Sequence, residues 1–305
     1  MKTRYVGIDL VDNTSYVFDE NFKQLPDNPK NIKTSIELLP KDHAFWYTGS
    51  TIDVIRRNDD GSIDVLSNNP AYSEMVHHMV WGYSSPNRIR DYKCGIARPL
   101  GAGSELSDII FPKGYAYKMD GGVLLPVAWH WENPASVSVS EKIYLRFKIN
   151  VEDNTTAYQD INIDWIDTVA CKSAFIVPPG KSKKIGELYT VKTDRQIVGI
   201  FPHVHDHSKG IKLKSTHGTI RSFKPENQKI PVAHDDVGQG PTLLHVDENH
   251  LPVNGLYSWL PGDSGPMISA GETLWMESEF DNPHPIDIDN MAIAVIMWVP
   301  VSTDN

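Results

Sequence analysis

The chain is cut into short extended pieces, and this limits its folds more than any other feature. Residues 5–10, 35–39, 63–66, 137–149, 161–166, 184–191, 219–223, 273–280 and 292–300 are alternating or β-branched runs, and strong helical periodicity is scarce. Clusters of Asn, Asp, Gly and Pro separate them, with 21 glycines and 21 prolines available as punctuation. The pattern predicts an all-β protein, built as sandwiches or barrels rather than βαβ units. A chain of 305 residues exceeds one ordinary core, because domains centre on roughly 100 to 150 residues. Two domains are expected. The run Phe175-Ile176-Val177-Pro178-Pro179-Gly180 reads as the opening of the second, giving domains 1–168 and 169–305. Residues 224–266, with Pro225, Gly238, Gly240, Pro241, Pro252, Gly262 and Gly265, read mostly as loop, of the kind that often forms a lid or cleft wall.

Charge and cysteine usage narrow the function. A net charge of -10 repels phosphate backbones and anionic membrane surfaces, so neither nucleic acid nor membrane is an expected partner. The start, Met-Lys-Thr-Arg-Tyr-Val-Gly-Ile-Asp-Leu, has no apolar signal core, and no window approaches the roughly 20 apolar residues of a helical span. The expectation is a soluble protein without an export signal, in the cytoplasm. Cys94 and Cys171 are too few for a disulfide scaffold and too isolated for a thiolate metal site. They could form one bridge. Two free thiols are expected, since nothing else argues for an oxidising compartment.

Chemistry concentrates in the histidines. Phe201-Pro202-His203-Val204-His205-Asp206-His207 closes the apolar run Ile197-Val198-Gly199-Ile200. On a strand, His203, His205 and His207 would share one face, and neutral imidazoles two residues apart on a rigid strand suit copper, zinc, iron or nickel. Solvated histidines at a polar strand end are the plain alternative. Glu74-Met75-Val76-His77-His78-Met79 places adjacent histidines in an apolar segment, where neighbours point to opposite faces. For both to serve one metal, the strand needs an edge, a bulge or a distorted end. His130 sits between Trp129 and Trp131, as an aromatic-packed strand residue would. Met291, in the last apolar strand, would by itself be core filler. His43, His217, His234, His245, His250 and His284 lie in polar surroundings and read as surface residues.

Taken in order, Val76-His77-His78-Met79, a segment leading to His130, Pro178-Pro179-Gly180, the His-x-His at 203 to 205 and Asp289-Asn290-Met291 resemble the copper type II, ascorbate-dependent monooxygenases, the family of peptidylglycine α-hydroxylating monooxygenase and dopamine β-monooxygenase. The resemblance runs from about residue 70 to residue 300. It implies two tandem jelly-roll-type β-sandwich domains facing each other across a cleft, each with one copper. His77, His78 and His130 would hold the electron-transfer copper; His203, His205 and Met291 would hold the copper that meets dioxygen. A gapless match through Lys209 selects His203 and His205, whereas the family's glycine three residues after the second histidine would select His205 and His207 through Gly210. The first is preferred, because the Phe-Pro-His-x-His run and the turn at His217-Gly218 then align. Three imidazoles support a one-electron shuttle, while two imidazoles with a weak thioether favour copper(I) and leave a position open. The implied reaction is hydroxylation of a C–H bond, with dioxygen and a reductant such as ascorbate as co-substrates.

The departures from the family also carry information. Peptide-hydroxylating members have an arginine before the His-x-His that grips a substrate carboxylate, and a tyrosine four residues after the methionine; here those positions are Phe201 and Val295. Apolar groups in place of a charged clamp point to a small, largely apolar metabolite. The family's disulfide framework and export signal are absent from this sequence. A second reading keeps the scaffold without oxygen chemistry, as a cyclase, isomerase or ligand-binding protein. A structural zinc site is a third, disfavoured by the thioether.

Overall fold

The computed structural model describes residues 2–9, 14–19, 21–23, 35–37, 44–66, 76–83, 97–103, 108–119, 124–131, 142–169, 174–205, 207–224, 258–259 and 265–301; at 2–9, 14–18, 35–37, 52, 76–83, 97–103, 108, 124–131 and 258–259 the description is of backbone alone. Among these residues there are strands and turns and no helix, hence none long and apolar enough to cross a membrane. The chain divides into two compact units whose sequences meet between Ile161 and Asn162. Each unit is a jelly-roll-type sandwich of two sheets.

The first unit holds β1 (Lys2–Asp9), β2 (Thr14–Phe18), β3 (Ser35–Glu37), β4 (Phe45–Arg57), β5 (Ile63–Val65), β6 (Val76–Tyr83), β7 (Ala97–Gly103), β8 (Asp108–Ile110), β9 (Tyr115–Met119), β10 (Leu124–Trp131), β11 (Ile143–Asp153) and β12 (Gln159–Asp160). Its larger sheet runs β12-β9-β4-β11-β1-β2, with β5 and β8 on β4, and its smaller sheet runs β3-β10-β6-β7. Strict alternation along β11 buries Ile143, Leu145, Phe147 and Ile149, as one core-facing side of an antiparallel sheet requires. Where β4 and β11 lose register between Asn150 and Val151, Gly49 adopts φ +150, and a Cβ there would lie 2.4 Å from the Ile109 carbonyl oxygen. Only glycine fits that position.

The second unit holds β13 (Asn162–Asp167), β14 (Ala174–Val177), β15 (Gly180–Ile185), β16 (Tyr189–Thr190), β17 (Arg195–Val204), β18 (Ser208–Ser215), β19 (Gly218–Phe223), β20 (Ser258–Trp259), β21 (Met267–Ile268), β22 (Thr273–Asn282) and β23 (Ile288–Pro300). One sheet is ordered β13-β23-β17-β20, with β14 on β23 and β21 on β17; the other is ordered β15-β22-β18-β19, with β16 on β22. The unit therefore begins ahead of the boundary expected at 168, because the six residues of β13 pair with β23 along their whole length. Of the apolar residues of β13, Ile166 enters the core of this unit, while Ile163 and Trp165 are buried on the other face of the same sheet.

The core between these sheets joins Ile197, Ile200, Val204, Ala292, Ala294, Ile296 and Trp298 to Ile211, Leu213, Leu274, Met276 and Phe280. A charged group lies among them. The Asp164 Oδ2 accepts hydrogen bonds from Trp298 Nε1 at 2.6 Å, Arg195 Nη1 at 2.9 Å and Tyr189 OH at 2.9 Å, and the guanidinium stacks 3.8 Å above the Trp298 ring. These bonds tie β13, β17 and β23 together at one end of the sheet. The stretch 224–266 expected as a loop lies outside the described residues except for 224, 258–259 and 265–266, as do Cys94 and Cys171.

Candidate metal centres on two strand pairs

At the other end of β17 and β23 the chain brings together the second set of histidines. The strands are antiparallel, with Phe201 opposite Val295, His203 opposite Ile293 and Val204 opposite Ala292. The pairing continues past the strand end, where the His205 N–H donates to the Met291 carbonyl oxygen at 3.4 Å. Residues opposite each other in a ladder share a face, so His203, His205 and Met291 stand on one side of the sheet. That side is not the one that carries Val204, Ala292 and Ala294 into the core. The switch is made by a bulge: register shifts between Ile197 and Gly199, so that Ile197 faces the core while Gly199, Phe201 and His203 do not.

The His203 and His205 rings lie 5.1 Å apart, nearly perpendicular at 88°. His205 is 1% exposed, and His203 and Met291 are half-buried. Their surroundings on this face are apolar. Phe201 and Val295 are register partners one row away from His203, and Phe201 and Ile293 are buried. One polar group escaped the sequence reading: Asp167, 3% exposed, falls in the same row as Ile293 and His203, since it pairs with Ile293 on the opposite edge. An Ile-Asp pair at the end of a strand carries no signal by which sequence could find it.

In the first unit, β6 and β10 pair with His78 directly opposite His130. The next pair is Val76 with Trp131, so the register slips by one residue and His77 has no partner of its own. This is a bulge at the adjacent histidines, the distortion that two neighbouring ligands require. The side chains of His77, His78 and His130 lie outside the described residues. Among the described residues, no three His, Cys, Asp or Glu side chains gather around a common point. The second set, as a pair of imidazoles with a thioether, does not depend on such a gathering.

The third histidine of the run is elsewhere. His207 lies in the turn between β17 and β18 with φ +64, and its carbonyl accepts from the Asp281 N–H at 2.9 Å. Its ring meets that of His284 at 5.1 Å, inclined by 75°. Burial first, then the neighbouring His284 and Lys209, lower the His207 pKa against the pull of Asp281. His284 is half-buried here, in contrast to the exposed residue expected from its flanking prolines and aspartates.

No protein-family model and no curated protein matches this chain. Among solved structures it is similar to the major capsid protein P2 of bacteriophage PM2, at 7% identity over 99% of both chains and a TM-score of 0.39. It is similar also to recombinant PNGase F, at 12% identity over 99% of this chain and 97% of that one, with a TM-score of 0.38. A second structure of PNGase F, described as a glycosylasparaginase from Flavobacterium meningosepticum, matches at 11% identity over 86% and 88% of the two chains, with a TM-score of 0.36.

Proposed function

We propose that this chain is a dicopper monooxygenase that hydroxylates a C–H bond of a small, largely apolar metabolite, using dioxygen and a reductant such as ascorbate. The observation that carries the reading is the register of β17 against β23, in which His205 meets Met291 across the ladder with His203 on the same face. A pair of imidazoles with a nearby thioether is a soft donor set that fits copper(I) and fits zinc poorly. The bulge that leaves His77 unpaired beside the His78–His130 pair supports a second, three-imidazole set. Copper bound at the two sets would supply one-electron transfer at the first and activation of dioxygen at the second.

The protein's own groups have three tasks. His203 is held by the backbone of β17, and His205, one residue past the strand end, by its N–H bond to the Met291 carbonyl, so the pair is preorganised before any ion arrives. Phe201, Val295 and Ile293 form the apolar ground beside them, which favours a substrate without a carboxylate and excludes water from the reacting bond. No cationic side chain stands in this described row, so a charged substrate terminus would go unmatched.

Metal analysis with electron paramagnetic resonance of copper-loaded, desalted protein tests the reading, alongside the Met291→Ala variant. The expected result is two tightly held coppers per chain with type 2 signatures, and a variant that keeps both at saturating copper but no longer turns over. Retention of one copper or none by the wild type would remove the basis of the proposal.

A further inference from the structure

Two connections at one end of the second unit each carry a histidine, and the two rings meet edge to face. His207 stands in the turn from β17 to β18, and His284 in the loop from β22 to β23. Both Nε2 atoms are fully buried, and neither has a hydrogen-bond partner. A buried imidazole nitrogen left unpaired costs about 1 to 3 kcal/mol. Two such atoms on rings 5.1 Å apart are a repeated cost at one place.

The backbone holds the pair in position from both sides. His207 adopts φ +64, a left-handed conformation uncommon for a residue with a Cβ and often retained where function requires it. Its carbonyl is fixed by the Asp281 N–H at 2.9 Å. The His284 N–H donates to Asn282 Oδ1 at 2.9 Å, while the Asn282 amide donates to Ile286 O at 2.8 Å and Val177 O at 3.2 Å. Asn282 is 1% exposed, so this clamp is built into the core edge and sets the loop from inside. An edge-to-face contact alone would explain ring proximity. It does not explain why both nitrogens are withdrawn from water and left without partners.

We infer that His207 and His284 form a metal site of their own, taking a late first-row divalent ion such as Zn2+ or Cu2+ through the two imidazole nitrogens, with water completing the coordination. Imidazole is the ligand these ions share. Two protein ligands make the site weaker and more exchangeable than a three-ligand one. Of the charges that act on His207, Asp281 attracts a cation and Lys209 repels it, so the field neither makes nor forbids the site. The inference does not rest on the proposed oxygenase reaction, because it uses neither His203, His205 nor Met291.

The test is a Zn2+ titration of the full chain, copper-loaded and desalted, followed by calorimetry and by nitrogen-15 resonances of labelled histidine. Wild type should take up one zinc per chain beyond any tightly held copper, with the Nε2 signals of His207 and His284 shifting together. His284→Gln should lose that equivalent and keep the tightly held copper. The site is refuted if His284→Gln binds as much zinc as wild type, or if the two Nε2 signals do not move in the wild type at saturation. Because the wild-type spectrum needs no variant, a misfolded His284→Gln leaves the test decisive. A chain that holds no copper after desalting, yet takes up the zinc at His207 and His284, would sink the oxygenase reading and leave this one standing.

Discussion

Replacing Asp164 by alanine should cost the second unit far more than any surface change. Asp164 is 5% exposed and Arg195 1%, and one carboxylate oxygen serves three donors, at 2.6 Å from the Trp298 indole and 2.9 Å from both Arg195 and Tyr189. Loss of one partner of a buried ion pair typically costs about 3 to 5 kcal/mol, because the other charge stays buried without compensation. Two features moderate the loss: the guanidinium remains stacked 3.8 Å over Trp298, and Arg195 Nε still donates to Thr193 O at 3.3 Å. About 3 to 4 kcal/mol is therefore expected. A drop of roughly 10 °C in Tm follows, at about 2–4 °C per kcal/mol for this size. With two units in the chain, the measurement should be hydrogen exchange at amides of β13, β17 and β23 together with urea unfolding, since a single transition is not guaranteed. The double variant Asp164→Leu, Arg195→Met should recover most of the loss, as hydrophobic replacement of buried pairs often does. Refutation would be an Asp164→Ala cost below about 1 kcal/mol, or a double variant as unstable as the sum of the single ones.

Three further outcomes are expected. Glu277 has its pKa lowered from 4.5 to about 2, chiefly by the hydrogen bond from Lys183 at 2.7 Å and then by Lys214 and Trp275, with burial opposing. A depressed carboxyl contributes stability above 4.5 that is lost as pH falls toward 2, so Glu277→Gln should flatten the acid limb of a stability profile, by about 1 kcal/mol after screening of partly exposed lysines. Gly49→Ala should destabilise the first unit by more than about 1 kcal/mol in chemical unfolding, because φ +150 and a Cβ 2.4 Å from the Ile109 oxygen both oppose it; an unchanged midpoint would refute the close approach. His78→Ala and His130→Ala should each remove the same single copper and leave the other, since the two residues are register partners; loss of different ions from the two variants would break the pairing argument.

Much of the architecture was legible because antiparallel sandwiches write themselves into sequence as alternation with turn residues between. The strands at 63–65 and 218–223 fall nearly where β-branched alternation set them. The strand expected at 161–166 is present as β13, and what its sequence hid is that both of its faces are buried and that it pairs within the second unit. In β13 every residue is buried, Asp164 and Asp167 included, so polar letters that suggest a solvated face belong instead to an internal ion-pair network and to the row of His203. The domain boundary moved for the same reason. His284 was misjudged because flanking prolines and acidic residues describe its neighbours, whereas the position of its ring is set by Asn282 and by a turn distant in sequence.

The candidate centres show the deeper limit of period-two reading. Strict alternation from Ile197 would put His203 and His205 on the same face as Ile197, inside the core, where the imidazoles would have no open side for an ion or a substrate. The single bulge between Ile197 and Gly199 reverses this, sending Val204 into the core and the two histidines to the face of Met291. Val198 is the residue that the bulge adds, so deleting it should spare the site. Gly199 would then follow Ile197 and still meet Met297, and every later pair, His203 with Ile293 included, would keep its partner and its face. Val198→Ala and the deletion should therefore both keep the copper held by this pair, measured after desalting, although the deletion straightens β17. Loss of that copper from a folded deletion variant would mean that the kink of the bulge itself, and not the pairing of β17 with β23, aims the two histidines.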